Sequence, residues 1–179
     1  TTHKNKKMAN QVKIKRFQVE FTRPADTTAY AAQDSVSNST SAAVINTFIP
    51  LNGDNSPEYV LNVGGSYQIK SYKLTNSSKV TTNASFDTYF YTSGVTSTND
   101  NAELGLLYGN KHVRIGKVAT TLVTAGSTNS TCAEAVAVDV NLPFKALTTT
   151  IYAQIVATAA YTPTSAETWY LEVELLEIA

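Results

Sequence analysis

The chain reads as an all-β protein, a single jelly-roll-like antiparallel β-sandwich with a basic N-terminal arm, and three observations predict it. Of its 179 residues only 16% are charged while 42% are hydrophobic. Thr, Ser and Asn supply much of the polarity, a balance that suits strands with one wet face better than salt-bridged helices. Apolar and polar residues alternate in short runs, and no run of about 12 residues or more keeps a 3.6-residue period. Turn-forming clusters separate the runs: NGDNSP at 52–57, GG at 64–65, SGVTSTNDN at 93–101 and AGSTNST at 125–131. The length suits one domain, placed at 17–179 behind an arm at 1–16.

About eight strands follow from the alternation, over 12–22, 43–50, 67–75, 85–92, 112–119, 135–142, 150–158 and 168–178. In the first, Val12 and Ile14 are out of phase with Phe17, Val19 and Phe21, which predicts a bulge. The sixth has the cleanest pattern, with Val136, Val138, Val140 and Leu142 assigned to the core and Ala137, Asp139 and Asn141 to water. In the seventh, Ile151, Ala153, Ile155 and Ala157 oppose Tyr152, Gln154, Val156 and Thr158. Neither face is strongly polar, so this strand is central or covered. The eighth turns Trp169, Leu171, Val173 and Leu175 inward, and its phase shifts at Leu176 and Ile178. Matching shifts at the two ends predict that the first and last strands pair, with Lys13 and Lys15 across from Glu172 and Glu174. One short helical turn is expected within 99–108.

The net charge is zero, but its distribution is uneven. Six of the 14 basic residues (Lys4, Lys6, Lys7, Lys13, Lys15 and Arg16) precede Phe17 with no acid among them, leaving eight basic against 14 acidic residues in the body, a net of −6. Such an arm suits an acidic protein surface, or is a short solvated tail. No aromatic residue interleaves its charges before Phe17, which disfavours single-stranded nucleic acid as a partner. Cys132 is the only cysteine, so no intramolecular disulfide forms, and its Ala- and Thr-rich surroundings make it a small buried residue. No stretch approaches the roughly 18 apolar residues of a membrane span, and TTHKNKKMANQ has no apolar signal core. A soluble, unexported chain is expected.

No constellation of catalytic residues stands out, and no enzyme activity, cofactor or metal is expected. His3 lies in the arm, and His112 has no sequence-near Cys, Asp or second His to complete a metal site. No GxSxG elbow surrounds any serine. Asp26, Asp34, Asp54, Asp87, Asp100 and Asp139 are scattered one to a segment, with no pair marked out for acid–base work. Asp54 and Asp100 sit in oxygen-rich loops that suit calcium, and equally suit Asx turns. The sequons at Asn38, Asn76, Asn83 and Asn129 matter only in a secreted eukaryotic protein. In TRPADTTAY, Pro24 restricts Arg23 to extended geometry and forces a corner. Asp26 then closes a turn with Thr27 and Thr28, and Arg23 is free to reach a carboxylate on another subunit.

Three blocks carry a resemblance: FTRPADTTAYAAQDSVSNSTSAA at 21–43, NDNAELGLLYGNKHVRIGKV at 99–118, and DVNLPFKALTTTIYAQIVATAAYTPTSAETWYLEVEL at 139–175. In this order they resemble a group of tailed-bacteriophage virion structural proteins. The match covers most of the chain from Phe21 onward. One departure is Gln33, where the group commonly has glycine, and it bears on the local turn. The resemblance implies a capsid auxiliary or decoration protein on the surface of the virion, made in the host cytoplasm, with the major capsid protein and copies of itself in a homotrimer as partners. Lys4, Lys6, Lys7, Lys13, Lys15, Arg16 and Arg23 are the residues expected to make the partner contact. The alternatives are a tail or head-fibre component that binds host glycan through loops 52–59 and 93–101, and a small glycan hydrolase.

Overall fold

The two ends of the chain close the larger of two sheets. The computed structural model describes residues 13–51, 59–127 and 129–178. In chain order its strands are β1 (Ile14–Thr22), β2 (Ser35–Val36), β3 (Asn46–Thr47), β4 (Ile49–Pro50), β5 (Ser66–Asn76), β6 (Ser85–Tyr91), β7 (Arg114–Thr121), β8 (Val123–Thr124), β9 (Ala133–Ala137), β10 (Leu142–Lys145), β11 (Tyr152–Ala157) and β12 (Thr168–Ile178). The larger sheet runs β4-β1-β12-β5-β9-β8, with β10 also on β5, and the smaller runs β2-β11-β6-β7, with β3 also on β11. Every ladder is antiparallel: β1 pairs with β12, β2 and β3 with β11, β5 with β9 and β10, and β6 with β7. With β2 and β3 counted as one strand, β9 and β10 as one, and the short β4 and β8 left out, eight strands pair first with last, second with seventh, third with sixth and fourth with fifth, one long hairpin rolled over on itself, which is the jelly roll.

Between the sheets lies an aromatic core. Trp169 and Phe86 meet edge to face with centroids 4.9 Å apart, and Tyr72 and Phe90 do so at 5.2 Å. Phe17, Tyr67, Phe86 and Trp169 have no exposed surface. Edge-to-face pairs add roughly 1 kcal/mol each beyond the area they bury.

Several sequence expectations change. The stretch 43–50 is two short strands, because the chain passes from the smaller sheet (β3) to the larger (β4) across the buried Phe48. β1 has no bulge: nine consecutive residues pair with β12 from Ile14↔Leu176 to Thr22↔Thr168. The register shift lies instead between β12 and β5 at Glu174/Leu175, where Lys70 is the extra residue. β1 therefore stays in the phase of Phe17, so Lys15 is buried and Ile14 is exposed. The two ends pair as expected but three residues out of register: Lys15 lies across from Leu175 rather than Glu172, Arg16 meets Glu174, and Gln18 faces Glu172.

The expected sixth strand is inverted as far as Val138 and then broken, while Val140 and Leu142 pack against the core as expected. Ala133 and Ala135 face the core while Val136 and Val138 are exposed, Val138 by 71%. Left-handed residues at Asp139 and Asn141 then interrupt the strand before β10 resumes on β5. Cys132 is half-buried. β11 is central as expected, between β6 on one side and β2 and β3 on the other, and its outer face is also covered. The excursion from 92 to 113 crosses that face, where Gln154 donates to Thr96 O and accepts from Thr98 N. The helical turn comes later than expected, as a 3-10 turn at Tyr108–Asn110.

Candidate partner-binding surface

The seven predicted contact residues fall into three groups. Lys4, Lys6 and Lys7 lie outside the described residues, as do His3 and Asp54 and most of the loop 52–59. Lys13, Lys15 and Arg16 form the root of the arm. Arg23 is elsewhere, in the interior.

Arg23 is 2% exposed, which corrects the expectation of a corner arginine reaching another subunit. Pro24 turns the chain out of β1, and the turn folds the guanidinium back under the loop. Its Nε donates to Tyr30 Oη at 2.8 Å, Nη1 to Asp26 O at 2.6 Å, and Nη2 to Asp26 Oδ1 at 3.1 Å and Asp100 Oδ2 at 3.2 Å. Asp100 Oδ1 also accepts from Tyr30 Oη at 2.7 Å and from Ser37 N at 2.8 Å. Asp100 is thus an interior anchor rather than an open calcium ligand. Asp26 makes the expected Asx turn, accepting from Thr28 N at 3.0 Å. Burial pulls the Arg23 guanidinium down, but Tyr30 and the two carboxylates outweigh it and hold it above its ordinary value.

A second buried group adjoins the first. Tyr30 stacks on Tyr161 with centroids 6.2 Å apart. Glu167 accepts from Tyr161 Oη at 2.7 Å, from Thr164 N at 2.6 Å and from Asn76 Nδ2 at 3.0 Å. Asn76 is fully buried, so its sequon is closed to modification. Burial first, and then the carboxylate acceptor, hold the Tyr30 and Tyr161 phenols well above the ordinary tyrosine value. Gln33 adopts φ +78° and still makes the turn, its N–H donating to Ala157 O at 2.8 Å. Glycine takes this backbone region freely, which is a physical reason for the glycine in the resembling group.

The root of the arm presents cations beside apolar surface. Lys15 is 6% exposed and donates to Val60 O at 2.6 Å, so this predicted contact residue is engaged within its own chain. Arg16 is half-exposed and paired with Glu174. Ile14 is 61% exposed on the outer face of the larger sheet. It stands between two hollows, one of about 290 Å³ lined with Leu51 and Tyr59, the other of about 340 Å³ lined with Val138 and Leu176. Exposed isoleucine and valine flanking two hollows is the kind of apolar patch that marks a contact surface.

On the other side of the molecule, the loop after Glu103 exposes Leu106, Leu107 and Tyr108, the last by 80%, with Lys111 Nζ 3.5 Å from the Tyr108 ring centroid. The sequence reading passed over this loop, although three large apolar residues in a row outside a strand were a visible signal. Loop 93–101, the candidate glycan-contact loop of the fibre alternative, packs over β11 through Thr96 and Thr98. His112 is exposed, and among the described residues no three of His, Cys, Asp and Glu come together. No family model matches the chain, and no curated protein matches it either.

Proposed function

We propose that the protein is a structural component of a tailed-phage virion, acting as a capsid auxiliary or decoration protein that binds the assembled head and strengthens it. One observation carries this reading: the three blocks that resemble the phage group meet in a single buried network. Block 21–43 supplies Arg23, Tyr30 and Ser37, block 99–118 supplies Asp100, and block 139–175 supplies Tyr161 and Glu167. Residues far apart in sequence, at least one from each block, build this network, which suits a protein whose role rests on a rigid body.

The work of such a protein is mechanical. A protein that binds assembled shell better than free subunits stabilises the shell by linkage. The basic arm and the exposed apolar surface at its root suit an acidic seam between capsid subunits. The homotrimer belongs to the same proposal. Cryo-electron microscopy of purified particles tests it: density of this sandwich on the lattice in icosahedral copy number is the expected result. A bare shell, with the protein confined to tail or fibre, would move the assignment to the fibre reading.

A further inference from the structure

The sandwich is unlaced along one side, where the edge of the smaller sheet lies against the edge of the larger. Leu122 N donates to Ala84 O, and the β6–β7 register runs from Ser85↔Thr121 to Phe90↔Gly116. Ladder bonds to β6 therefore fall on the even-numbered residues of β7, and the N–H and C=O of Lys117, Ala119 and Thr121 point away from the sheet. On the facing edge, Ala125 N donates to Cys132 O and Val123 faces Glu134, which turns the backbone of Val136 outward in the same way. Ala146 N donates to Gly65 O, so Pro143 and Lys145 hold the outward positions of β10. Among the described residues none of these outward backbone groups has a partner.

The two edges approach each other without a ladder between them, β7 lying beside β9 and the Leu142 side chain of β10 packing on the Gly116 backbone. A hollow lies on either side of that contact: about 370 Å³ beside Ala119 and Val136, and about 200 Å³ beside Arg114 and Lys145. The charges left without an ion pair along this side are cations. Lys117 is paired with Asp87 and Glu134 with Lys73, while Arg114 and Lys145 have no ion pair among the described residues and no carboxylate lines their hollow.

We propose that this side takes an extended acidic segment of a partner protein, which adds as a strand to the outward edge of β7 and sets carboxylates against Arg114 and Lys145. An open row of alternating N–H and C=O groups is a demand that another strand meets, and two uncompensated cations select its charge. The proposal does not rest on the capsid reading, since it holds for any particle or partner that presents such a segment.

The test uses the whole chain with two acetylated octapeptides, one alternating Val and Glu and the other alternating Val and Lys. The Val–Glu peptide is expected to slow amide hydrogen exchange at Lys117, Ala119 and Thr121 by about tenfold or more, as a well-populated added strand would. The Val–Lys peptide is expected to leave them unchanged, and R114E with K145E together reverses the preference. Ala119→Pro removes an outward N–H and no ladder bond to β6, and should abolish binding while the thermal midpoint stays close to that of the parent. If that variant unfolds, the charge-reversal pair decides alone. Absence of protection with either peptide at millimolar concentration, or equal protection by both, overturns the proposal.

Discussion

The outer faces of the two sheets are opposites. In the smaller sheet β11 is roofed by its own chain, with Gln154 and Val156 buried beneath the 92–113 excursion, while Lys117 and Ala119 of β7 stay exposed. The larger sheet is bare, and its outward residues are Arg16, Gln18 and Glu20 on β1 and Tyr170, Glu172 and Glu174 on β12. The roof is keyed by a buried ion pair, Arg23 with Asp100, whereas the bare face has the half-exposed pair Arg16 with Glu174. The same chemistry is worth very different amounts in the two settings, because a buried charge deprived of its partner has no water to turn to.

The largest way to break this contrast is alkali. Burial holds the Tyr30, Tyr72 and Tyr161 phenols above their ordinary value, with Asp100 and Glu167 adding to the effect at the first and last. A raised folded pKa stabilises fully below the unfolded value of about 10 and loses that contribution as pH rises past it, since only the unfolded chain sheds the protons. Three such groups give a slope of about 4 kcal/mol per pH unit. Tyrosinate absorbance from these residues and loss of strand circular dichroism are expected together; tyrosinate forming in an intact fold would refute the assignment.

Next in size is Asp100→Ala, which takes one of its two carboxylates from the buried Arg23 guanidinium and leaves Tyr30 Oη and Ser37 N without their buried acceptor. A loss of about 3–5 kcal/mol is expected, read by urea unfolding, along with faster hydrogen exchange across 95–104. Gln33→Gly should raise stability by up to about 1 kcal/mol, because it relieves a left-handed residue at some cost in chain entropy. A fall in thermal midpoint would show that the Gln33 side chain matters more than its backbone. Smallest is the double-mutant cycle on Arg16 and Glu174, expected at about 0.2–1 kcal/mol and fading in salt. A coupling as large as the effect at Asp100 would erase the distinction between roofed and bare faces.

The contrast also accounts for what could be read from the sequence. β12 alternates cleanly because one face meets the core and the other meets water, and its inward set of Trp169, Leu171, Val173 and Leu175 is as expected. β11 lacks a polar face because it is enclosed on both sides, and the sequence carried that too. The inversion of β9 was hidden because alternation was judged by side-chain size. β7 and β9 lie in direct contact, closer than the usual separation of about 10 Å between packed sheets, so Ala133 and Ala135 are what fits inside. Lys15 was unreadable for a different reason: a lysine in an inward position signals a loop carbonyl, here Val60 O, that no local pattern reveals. Arg23 and Asp100 are 77 residues apart, and nothing in either segment alone names the other.

The ladder of β1 with β12 has a further consequence, in time rather than in space. Thr22 and Thr168 touch across 146 residues of chain, so the larger sheet closes only after most of the loop-closure entropy has been met elsewhere. The bare face and the root of the arm are then expected to form late, which φ-values near zero for substitutions in the β1–β12 ladder would check. On that order, a partner that reads this surface would meet it only on chains whose first and last strands have already joined.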